Sequence, residues 1–326
     1  MLSLGLIGYP LQQSLSPRMH AAALQVLDLV GEYRLYPVPP LPEGAAGLEE
    51  RVNWLRSGRL DGLNVTIPHK QAVIPYLDDL TPRAQAIGAV NTIIRQADKL
   101  VGENTDAPGF LTDLERQLSS YSPAERSFDA DGSAIEGRFA LVLGAGGAAR
   151  AVVYALLKTG WCVCLAARRL EQAQSLVASF QEPGVRLDPA LDRLSAICLE
   201  GSSLAELESN IHQQGRVTGL LVNASSAGMI PEPSTSPWPA GLPLPASSFV
   251  YDLVYKPPET TLMRLARHAG LTACNGLGML VEQAALALEC WSGRSVPRRV
   301  MWAAVSGSLE TAAIHYAHFS AHPREL

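Results

Sequence analysis

The stretch RFALVLGAGGAAR, residues 138–150, decides the fold of the central part of this chain. Five apolar residues lead into glycines at 144, 146 and 147, and an apolar helical pattern follows. Gly144 permits a tight turn after a strand, Gly146 lets the backbone approach a pyrophosphate, and the helix start offers unpaired N–H groups. Because a strand and a helix flank the glycines, a dinucleotide-binding loop is favoured over a plain tight turn.

Two arginines, Arg168 and Arg169, follow the second strand of this unit, residues 161–166. An NAD site places Asp or Glu at this point to hold the ribose 2′-OH. Adjacent arginines at a helix start bind a 2′-phosphate and stack on adenine, so the pair favours NADP. The alternative interpretation is a solvated pair without a ligand.

Composition excludes several classes of protein. The chain has 326 residues with 26 Lys+Arg against 31 Asp+Glu, and a net charge of −5 gives no attractive field for nucleic acid. No apolar run approaches the roughly 18 to 20 residues of a membrane span, and the N-terminus lacks the basic region of a secretory signal. We therefore expect a soluble, cytoplasmic protein with no nucleic-acid or membrane partner.

The five cysteines are scattered and odd in number, which indicates reduced thiols. Cys162 and Cys164 have the spacing of half a metal site. Since no second Cys or His pair lies nearby, we interpret them as two residues on one strand face and expect no metal.

Short apolar strands alternate with helical patterns at both sides of residue 138, which predicts an α/β protein. In the first hundred residues the alternation predicts a parallel sheet, with two further short strands joined by a polar turn. The predicted strands there are 3–7, 33–38, 62–66, 89–95 and 99–102, and the helical patterns are 17–29, 47–57 and 70–74.

Further along, a helix at 108–118 precedes a polar loop at 119–137, and the stretch from 183 to 217 gives no clear pattern. The predicted strands are 139–143, 161–166, 219–223 and 249–253. The predicted helices are 147–158, 170–179, 261–269, 279–291 and 298–316, with a long loop at 231–245 and a turn at Asn275-Gly276.

Polar side chains gather at the predicted strand ends of the first region. Asn64 and Thr66 share one face of a strand that Pro68 ends before Lys70, and Asn91 lies in a later strand. Residues 104–106, Asn-Thr-Asp, follow Gly102. Such residues singly are turn formers, but repeated amides at strand ends indicate a polar ligand.

Near the N-terminus, Ser14 and Ser16 precede or begin a helix that Pro17 can open. One interpretation is a ligand site and the other is that Ser16 is an N-cap. His20 and His69 are interpreted as bystanders.

These strings together resemble the shikimate and quinate dehydrogenase family over nearly the whole chain and in the family's order. The matching motifs are GYPLQQSLSP (8–17), NVTIPHK (64–70), GAVNT (88–92), GENTD (102–106), GAGGAAR (144–150), NASSAGM (223–229), DLVYKP (252–257) and GLGMLVEQ (276–283).

The resemblance implies reversible, NADP-dependent reduction of 3-dehydroshikimate to shikimate, with Lys70 and Asp106 as the catalytic pair. It implies substrate binding by Ser14, Ser16, Asn64, Thr66, Asn91, Tyr255 and Gln283, the two serines on the carboxylate. It implies coenzyme binding by Gly144, Ala145, Gly146, Gly147, Ala148, Ala149, Arg168, Arg169, Met229, Leu253, Gly276 and Met279.

The chain departs from the family pattern in a few places. Many NADP-dependent members read Asn-Arg-Thr at the second strand end with a basic residue three positions on, where this chain has Ala167-Arg168-Arg169 and Gln172. The family's Asn-Ala-Thr ends here in Ser225. The stretch 183–217 and the tail after Gly293 are longer than in many members.

We expect two α/β domains with a cleft between them. Residues 1–106, completed by 276–326, are predicted to bind substrate, and residues 107–275 to form a Rossmann-like, doubly wound NADP domain. Two alternatives stay open: a quinate/shikimate dehydrogenase that uses NAD, and a cofactor-binding regulator without turnover. The sequence also leaves a homodimer open.

Overall fold

The computed structural model describes residues 1–120, 138–181, 193–214, 216–246 and 248–306. They divide into two compact units. The first unit holds Met1–Thr81, Val90–Thr105 and the residues from Val281 onward, and the second holds Pro82–Ala89 and Asp106–Leu280. Each unit contains its own six-stranded sheet, which confirms the predicted two-domain α/β fold. The predicted roles and boundaries of the two domains stay predictions.

The sheet of the first unit has the order β2-β1-β3-β5-β6-β4. Its strands are β1 (Leu2–Gly8), β2 (Gly31–Pro37), β3 (Gly62–Val65), β4 (Asp79–Leu80), β5 (Thr92–Gln96) and β6 (Lys99–Glu103). The helices of this unit are α1 (Ser16–Val26), α2 (Ala45–Arg56), a 3₁₀ helix (Ile74–Tyr76) and α10 (Arg298–Ser306), together with most of α9 (Leu277–Ser292).

The parallel pairing predicted for the first three strands of the first unit is confirmed. β1 pairs in parallel with β2 and β3, whereas β5 pairs antiparallel with both β3 and β6. The reason is the short connection: β5 and β6 are joined at Ala97 and Asp98, and a parallel pair would need a crossover of a dozen residues or more. The sheet is therefore mixed.

The helical pattern predicted at 70–74 is wrong, because the chain there forms turns that lead into the 3₁₀ helix Ile74–Tyr76. Pro75 has no N–H with which to continue an α-helix across this point. The pattern also missed β4 and a short helix, α3 (Pro82–Ile87), which belongs to the second unit.

A tryptophan docks α9 on the first sheet. The Trp291 ring lies over Gly62 in β3, where a Cβ would collide with it, and Trp291 Nε1 donates a hydrogen bond to the Ile93 carbonyl at 3.0 Å. Gln283 lies eight residues earlier on the same helix. The packing of Trp291 therefore fixes where Gln283 is presented.

The second sheet is parallel throughout, in the order β12-β11-β10-β7-β8-β9. In sequence terms this is the 6-5-4-1-2-3 order of a doubly wound nucleotide-binding fold. Its strands are β7 (Arg138–Leu143), β8 (Cys162–Ala167), β9 (Leu194–Cys198), β10 (Val217–Asn223), β11 (Phe249–Asp252) and β12 (Ala273–Asn275). Its helices include α4 (Asp106–Ser120), α5 (Gly147–Lys158), α6 (Leu170–Ser179), α7 (Gly201–Gln213) and α8 (Thr261–His268).

Three further elements of the second unit, two strands and one helix, are not predicted by the sequence pattern. β9 and α7 lie in the stretch that gave no clear pattern, and β12 ends at Asn275, where a turn was predicted. Residues 121–137 of the predicted loop and 307–316 of the predicted last helix lie outside the described residues.

A buried carboxylate fastens α4 within the second unit. Asp113 is fully buried, pairs with Arg116, and accepts a hydrogen bond from the Tyr251 hydroxyl on β11. Gly278 packs directly on this carboxylate, since a Cβ there would collide with it. Because a buried carboxylate requires donors, Asp113 fixes α4, and with it the helix start at Asp106, against β11.

Candidate functional site

The polar residues predicted in the first region lie at one edge of the first sheet. Ser14 and Ser16 follow β1, and Thr66 and Lys70 follow the parallel strand β3. Since β5 runs antiparallel to β3 with Thr92 opposite Asn64, Asn91 also lies at this edge.

Asn91 is the centre of a buried hydrogen-bond network at this edge. Its side chain is 2% exposed, and its Oδ1 accepts from the Thr105 backbone N at 2.7 Å. Its Nδ2 donates to Thr105 Oγ1 at 2.9 Å and to Gln283 Oε1 at 3.3 Å. The amide thus joins the start of β5, the segment after β6, and α9.

Asn64 belongs to the same network. Its Oδ1 accepts from the Tyr33 hydroxyl at 2.7 Å, and its Nδ2 donates to the Asn91 carbonyl and to Thr92 Oγ1, each at 3.1 Å. Thr92 Oγ1 in turn donates to Asn91 Oδ1 at 3.1 Å. The structure therefore brings together three of the predicted substrate residues: Asn64, Asn91 and Gln283.

Three members of this network, Tyr33, Thr92 and Thr105, are not among the predicted site residues. Thr92 and Thr105 adjoin predicted polar residues in the chain, so their positions at strand ends were a usable signal. Tyr33 lies on β2, and nothing in its local sequence points to Asn64.

Lys70 and Thr66 are half-buried beyond the end of β3. The Lys70 carbonyl accepts from the Val90 N–H at 2.8 Å, which fixes the lysine backbone beside the Asn91 segment. Thr66 packs on Gly8, where a Cβ would collide with the threonine methyl. A larger residue at position 8 would displace Thr66.

The N-cap interpretation of Ser16 is wrong. Ser16 is the first residue of α1, the N-cap is Leu15, and no side chain caps the helix. The Ser14 hydroxyl accepts from the Ser16 backbone N at 3.3 Å. Two hydroxyls thus lie at an uncapped helix N-terminus, where the helix dipole favours an anion.

Both histidines of this region are fully buried and hydrogen-bonded to backbone carbonyls. His20 Nδ1 lies 2.9 Å from the Ser16 carbonyl, its ring stacks on Tyr33, and burial lowers its pKa to about 4, so it is neutral at pH 7. His69 Nε2 lies 2.8 Å from the Val38 carbonyl. These contacts explain both histidines as structural.

Asp106 opens α4 in the second unit and is 4% exposed. A carboxylate in the first turn of a helix is stabilised by the helix dipole. Its neighbour Thr105 is the residue that Asn91 holds, so the network of the first unit reaches the residue directly before Asp106.

The glycine loop of the second unit has the shape that a pyrophosphate needs. Gly144 has a φ of +105°, and a Cβ there would lie 3.0 Å from Ser225. Gly146 is the N-cap of α5, has no neighbour within 4 Å of where its Cβ would be, and leaves the helix N-terminus without a side-chain cap. An open cradle of free N–H groups fits a dinucleotide phosphate.

Arg168 and Arg169 are both exposed directly after β8. The Gly144 N–H donates to the Ala166 carbonyl at 2.8 Å, so the arginines follow a strand end that is hydrogen-bonded to the glycine loop. Arg169 also begins α6 as its N-cap. Exposed guanidinium groups at this edge fit the 2′-phosphate of NADP.

The remaining predicted site residues of the second unit differ in exposure. Met229 is 37% exposed, whereas Met279 is 7% exposed and packs in the apolar core of the second unit. Gly276 lies against the Leu253 backbone, where a Cβ would collide with it. Tyr255 is half-buried, and burial raises the pKa of its phenol.

Among the described residues, no three His, Cys, Asp or Glu side chains meet as metal ligands would. Cys164 is fully buried in β8, and burial raises its pKa to about 11, so it remains a thiol at neutral pH. In the same described part of the chain, each helix is too short or too polar to cross a bilayer.

Comparison with known proteins gives consistent matches. Residues 6–93 match the family described as the shikimate dehydrogenase substrate binding domain, and residues 276–305 match the shikimate 5′-dehydrogenase C-terminal domain. The shikimate dehydrogenase (NADP⁺) of Salinibacter ruber is 41% identical over 303 residues, which cover 92% of this chain and 95% of the relative.

Two solved structures have the same fold. One is shikimate 5-dehydrogenase from Thermus thermophilus in complex with NADP(H) and shikimate, with 36% identity, a TM-score of 0.72, and coverage of 93% of this chain and 98% of the other. The second is quinate dehydrogenase from Corynebacterium glutamicum in complex with NAD, with 27% identity, a TM-score of 0.75, and coverage of 94% and 99%. With the relative from Salinibacter ruber aligned over nearly its full length, the chain belongs to the shikimate dehydrogenase family.

Proposed function

We propose that this chain is an NADP-dependent shikimate dehydrogenase, an oxidoreductase acting on CH–OH that interconverts 3-dehydroshikimate and shikimate (EC 1.1.1.25). The observation that carries the proposal is identity of 34 to 42% with relatives of that name over 88 to 94% of this chain. The reaction belongs to the chorismate route of aromatic amino acid biosynthesis.

The second unit supplies the coenzyme residues in this proposal. Gly144 to Ala149 would hold the pyrophosphate through backbone N–H groups, and Arg168 and Arg169 would hold the 2′-phosphate. Met229 and Met279 would lie near the nicotinamide, and Leu253 and Gly276 are the other residues assigned to the coenzyme. When bound, NADP supplies the hydride acceptor for the alcohol carbon. The open face of Gly146 and the exposure of both arginines support this assignment.

The substrate residues are hydroxyls and amides, which suit a small acid with several hydroxyls. Ser14 and Ser16 bind the carboxylate at the uncapped start of α1. The residues assigned to the ring hydroxyls are Asn64, Thr66, Asn91, Tyr255 and Gln283.

Proton transfer is assigned to Lys70 and Asp106. Oxidising a secondary alcohol requires a side chain within hydrogen-bond reach of the hydroxyl to remove its proton. A lysine amine can receive that proton, and a carboxylate can accept or return one. The half-buried Lys70 and the buried Asp106 suit a reaction that excludes bulk water.

The remaining assignments complete the proposal. Residues 1–106 with 276–326 bind substrate, residues 107–275 bind NADP, the enzyme acts in the cytoplasm, and a homodimer is the assembly to test by light scattering.

A specific observation favours one other activity: the similarity to a quinate dehydrogenase bound to NAD. Quinate carries an added hydroxyl on the tetrahedral carbon that bears its carboxylate, at the end assigned to the two serines.

Rates with two acids and two coenzymes test the activity directly. We expect NADPH formation at 340 nm with shikimate, and a kcat/KM at least about 10-fold higher for shikimate than for quinate. The physical reason is that quinate's added hydroxyl would be left unpaired in a pocket fitted to a planar carbon, at about 1 to 3 kcal/mol. Comparable values for both acids with NAD would support the quinate/shikimate alternative, and no turnover would support the regulator.

Lys70→Ala and Asp106→Asn should each lower kcat by about 10²-fold or more, the usual scale for a positioned acid or base. The exposed Lys99 and Asp98 provide controls, since Lys99→Ala and Asp98→Asn should leave kcat unchanged. Steady-state kinetics with shikimate and NADP make the comparison. Near-normal kcat with a raised KM in either variant would show that the substituted residue binds substrate and does not transfer the proton.

Arg168→Ala should raise the KM for NADP by about 10-fold or more and change the KM for NAD little. Only NADP carries the 2′-phosphate, and a hydrogen bond to a charged group contributes about 1.5 to 3 kcal/mol. Arg169→Ala measures how far the second arginine substitutes, and Arg264→Ala on α8 controls for loss of surface charge. Equal losses for NADP and NAD would mean that Arg168 does not contact the 2′-phosphate.

A further inference from the structure

One buried carboxylate of the second unit has none of the roles above. Asp252 ends β11 and is fully buried. Its Oδ1 accepts from Asn223 Nδ2 at 2.8 Å and from the Val254 N–H at 3.0 Å. Its Oδ2 accepts from Thr260 Oγ1 at 2.6 Å.

These three donors are neutral, so within the described part of the chain the carboxylate charge is balanced by hydrogen bonds. Burial raises the pKa of Asp252 to about 6, so its ionisation costs more in the folded chain than in the unfolded chain. The thiol of Cys274 on β12 also faces this charge, and burial together with Asp252 raises its pKa, so it stays neutral.

One branch of the network leads to the glycine loop. Asn223 Oδ1 accepts from the Ser225 backbone N at 3.0 Å and from Ser225 Oγ at 2.7 Å, which shapes the turn after β10. Ser225 is the residue that Gly144 packs against, since a Cβ on Gly144 would lie 3.0 Å from the Ser225 Cβ and N. Asp252 thus holds Asn223, and Asn223 holds Ser225, the residue that lies beside Gly144 of the glycine loop.

The second branch leads to the segment after β11. Val254, whose N–H binds Asp252, lies between Leu253 and Tyr255 in the chain. The Leu253 N–H donates to the Asn223 carbonyl at 2.9 Å, and this closes the network between β10 and β11. Both branches end on residues assigned to coenzyme or substrate.

We propose that Asp252 is a positioning residue for coenzyme binding, which holds the Asn223–Ser225 turn beside Gly144 and the Leu253–Tyr255 segment in the geometry that accepts NADP. The inference rests on the proposed function, because it takes NADP as the ligand of the glycine loop. The role proposed for Asp252 is indirect, through its hydrogen bonds to Asn223 and to the Val254 N–H.

The test compares NADP affinity in Asp252→Ala and Asp252→Asn by calorimetric titration of the purified full chain without substrate. Alanine removes the shared acceptor of all three donors, although Asn223 Nδ2 keeps its hydrogen bond to the Ala227 carbonyl, and we expect the dissociation constant of NADP to rise at least 10-fold. Asparagine keeps an oxygen for the two N–H donors, and we expect a rise of no more than about 3-fold. In kinetics, the KM for NADP should rise by a larger factor than kcat falls.

A second pair of variants makes the test independent of whether Asp252→Ala folds. Ser225 is partly exposed, and Ser225→Ala removes only its hydroxyl bonds to Asn223 and to the Ala227 N–H. We expect Ser225→Ala to raise the dissociation constant of NADP at least about 3-fold, and Ser225→Thr, which keeps the hydroxyl, to leave it unchanged.

Two results would overturn the inference: a folded Asp252→Ala that binds NADP within twofold of the wild type, or wild-type NADP affinity in both Ser225 variants. Circular dichroism and melting curves establish that each variant is folded at the titration temperature. A wild-type chain that does not bind NADP would instead refute the proposed function. The two failures are therefore distinguishable.

Discussion

The buried side chain of Asn91 is the constraint on which the first unit's polar edge depends. A primary amide that is removed from water needs partners for both its oxygen and its nitrogen. Asn91 is hydrogen-bonded to Thr92 in β5, to Thr105 after β6 and to Gln283 in α9. Those hydrogen bonds hold distant parts of the chain at one sheet edge, and Lys70 is attached to the same segment through the Val90 N–H.

In the second unit, the buried carboxylate of Asp252 joins separate segments in the same way. Asp252 collects donors from three segments at the carboxyl edge of a parallel sheet, where the strand ends, the glycine loop and the arginines all lie. Parallel strands place their following loops at one edge, so a ligand site forms there without long insertions. Close packing and backbone shape complete it, since Gly276 has no room for a side chain and Gly144 has a positive φ with Ser225 close beside it.

The sequence was sufficient for features with local signals. The glycine loop, the arginine pair and the strands β1, β7, β8, β10 and β11 could be predicted because glycine spacing and apolar runs are visible within a dozen residues. The hydrogen bonds of Asn91 with Thr105 and Gln283 join residues 14 and 192 positions apart. No local pattern encodes such a contact, and only the motif resemblance pointed to Gln283.

The errors have equally specific causes. The helix expected at 70–74 is replaced by turns that lead into the 3₁₀ helix Ile74–Tyr76, where Pro75 has no N–H to donate to an α-helical hydrogen bond. The residue type of Ser16 suits an N-cap, but the helix begins at Ser16 itself, one residue earlier than a serine cap would require. Asp252 is visible in the sequence only as the first residue of the DLVYKP motif, and its burial is not, since a buried aspartate and an exposed turn aspartate look alike in sequence.

The central claim is that buried hydrogen bonds around Asn91 hold the substrate residues in place. The most direct test is calorimetric titration of shikimate into the wild type, Thr92→Val and Thr92→Ser. Valine keeps the shape of the fully buried Thr92 but removes the hydroxyl between Asn64 and Asn91, each bond of which contributes about 1 kcal/mol. The account predicts a dissociation constant for shikimate about 5- to 30-fold higher in Thr92→Val, with that of Thr92→Ser near the wild type and NADP affinity unchanged in both. A folded Thr92→Val that binds shikimate as tightly as the wild type would contradict it.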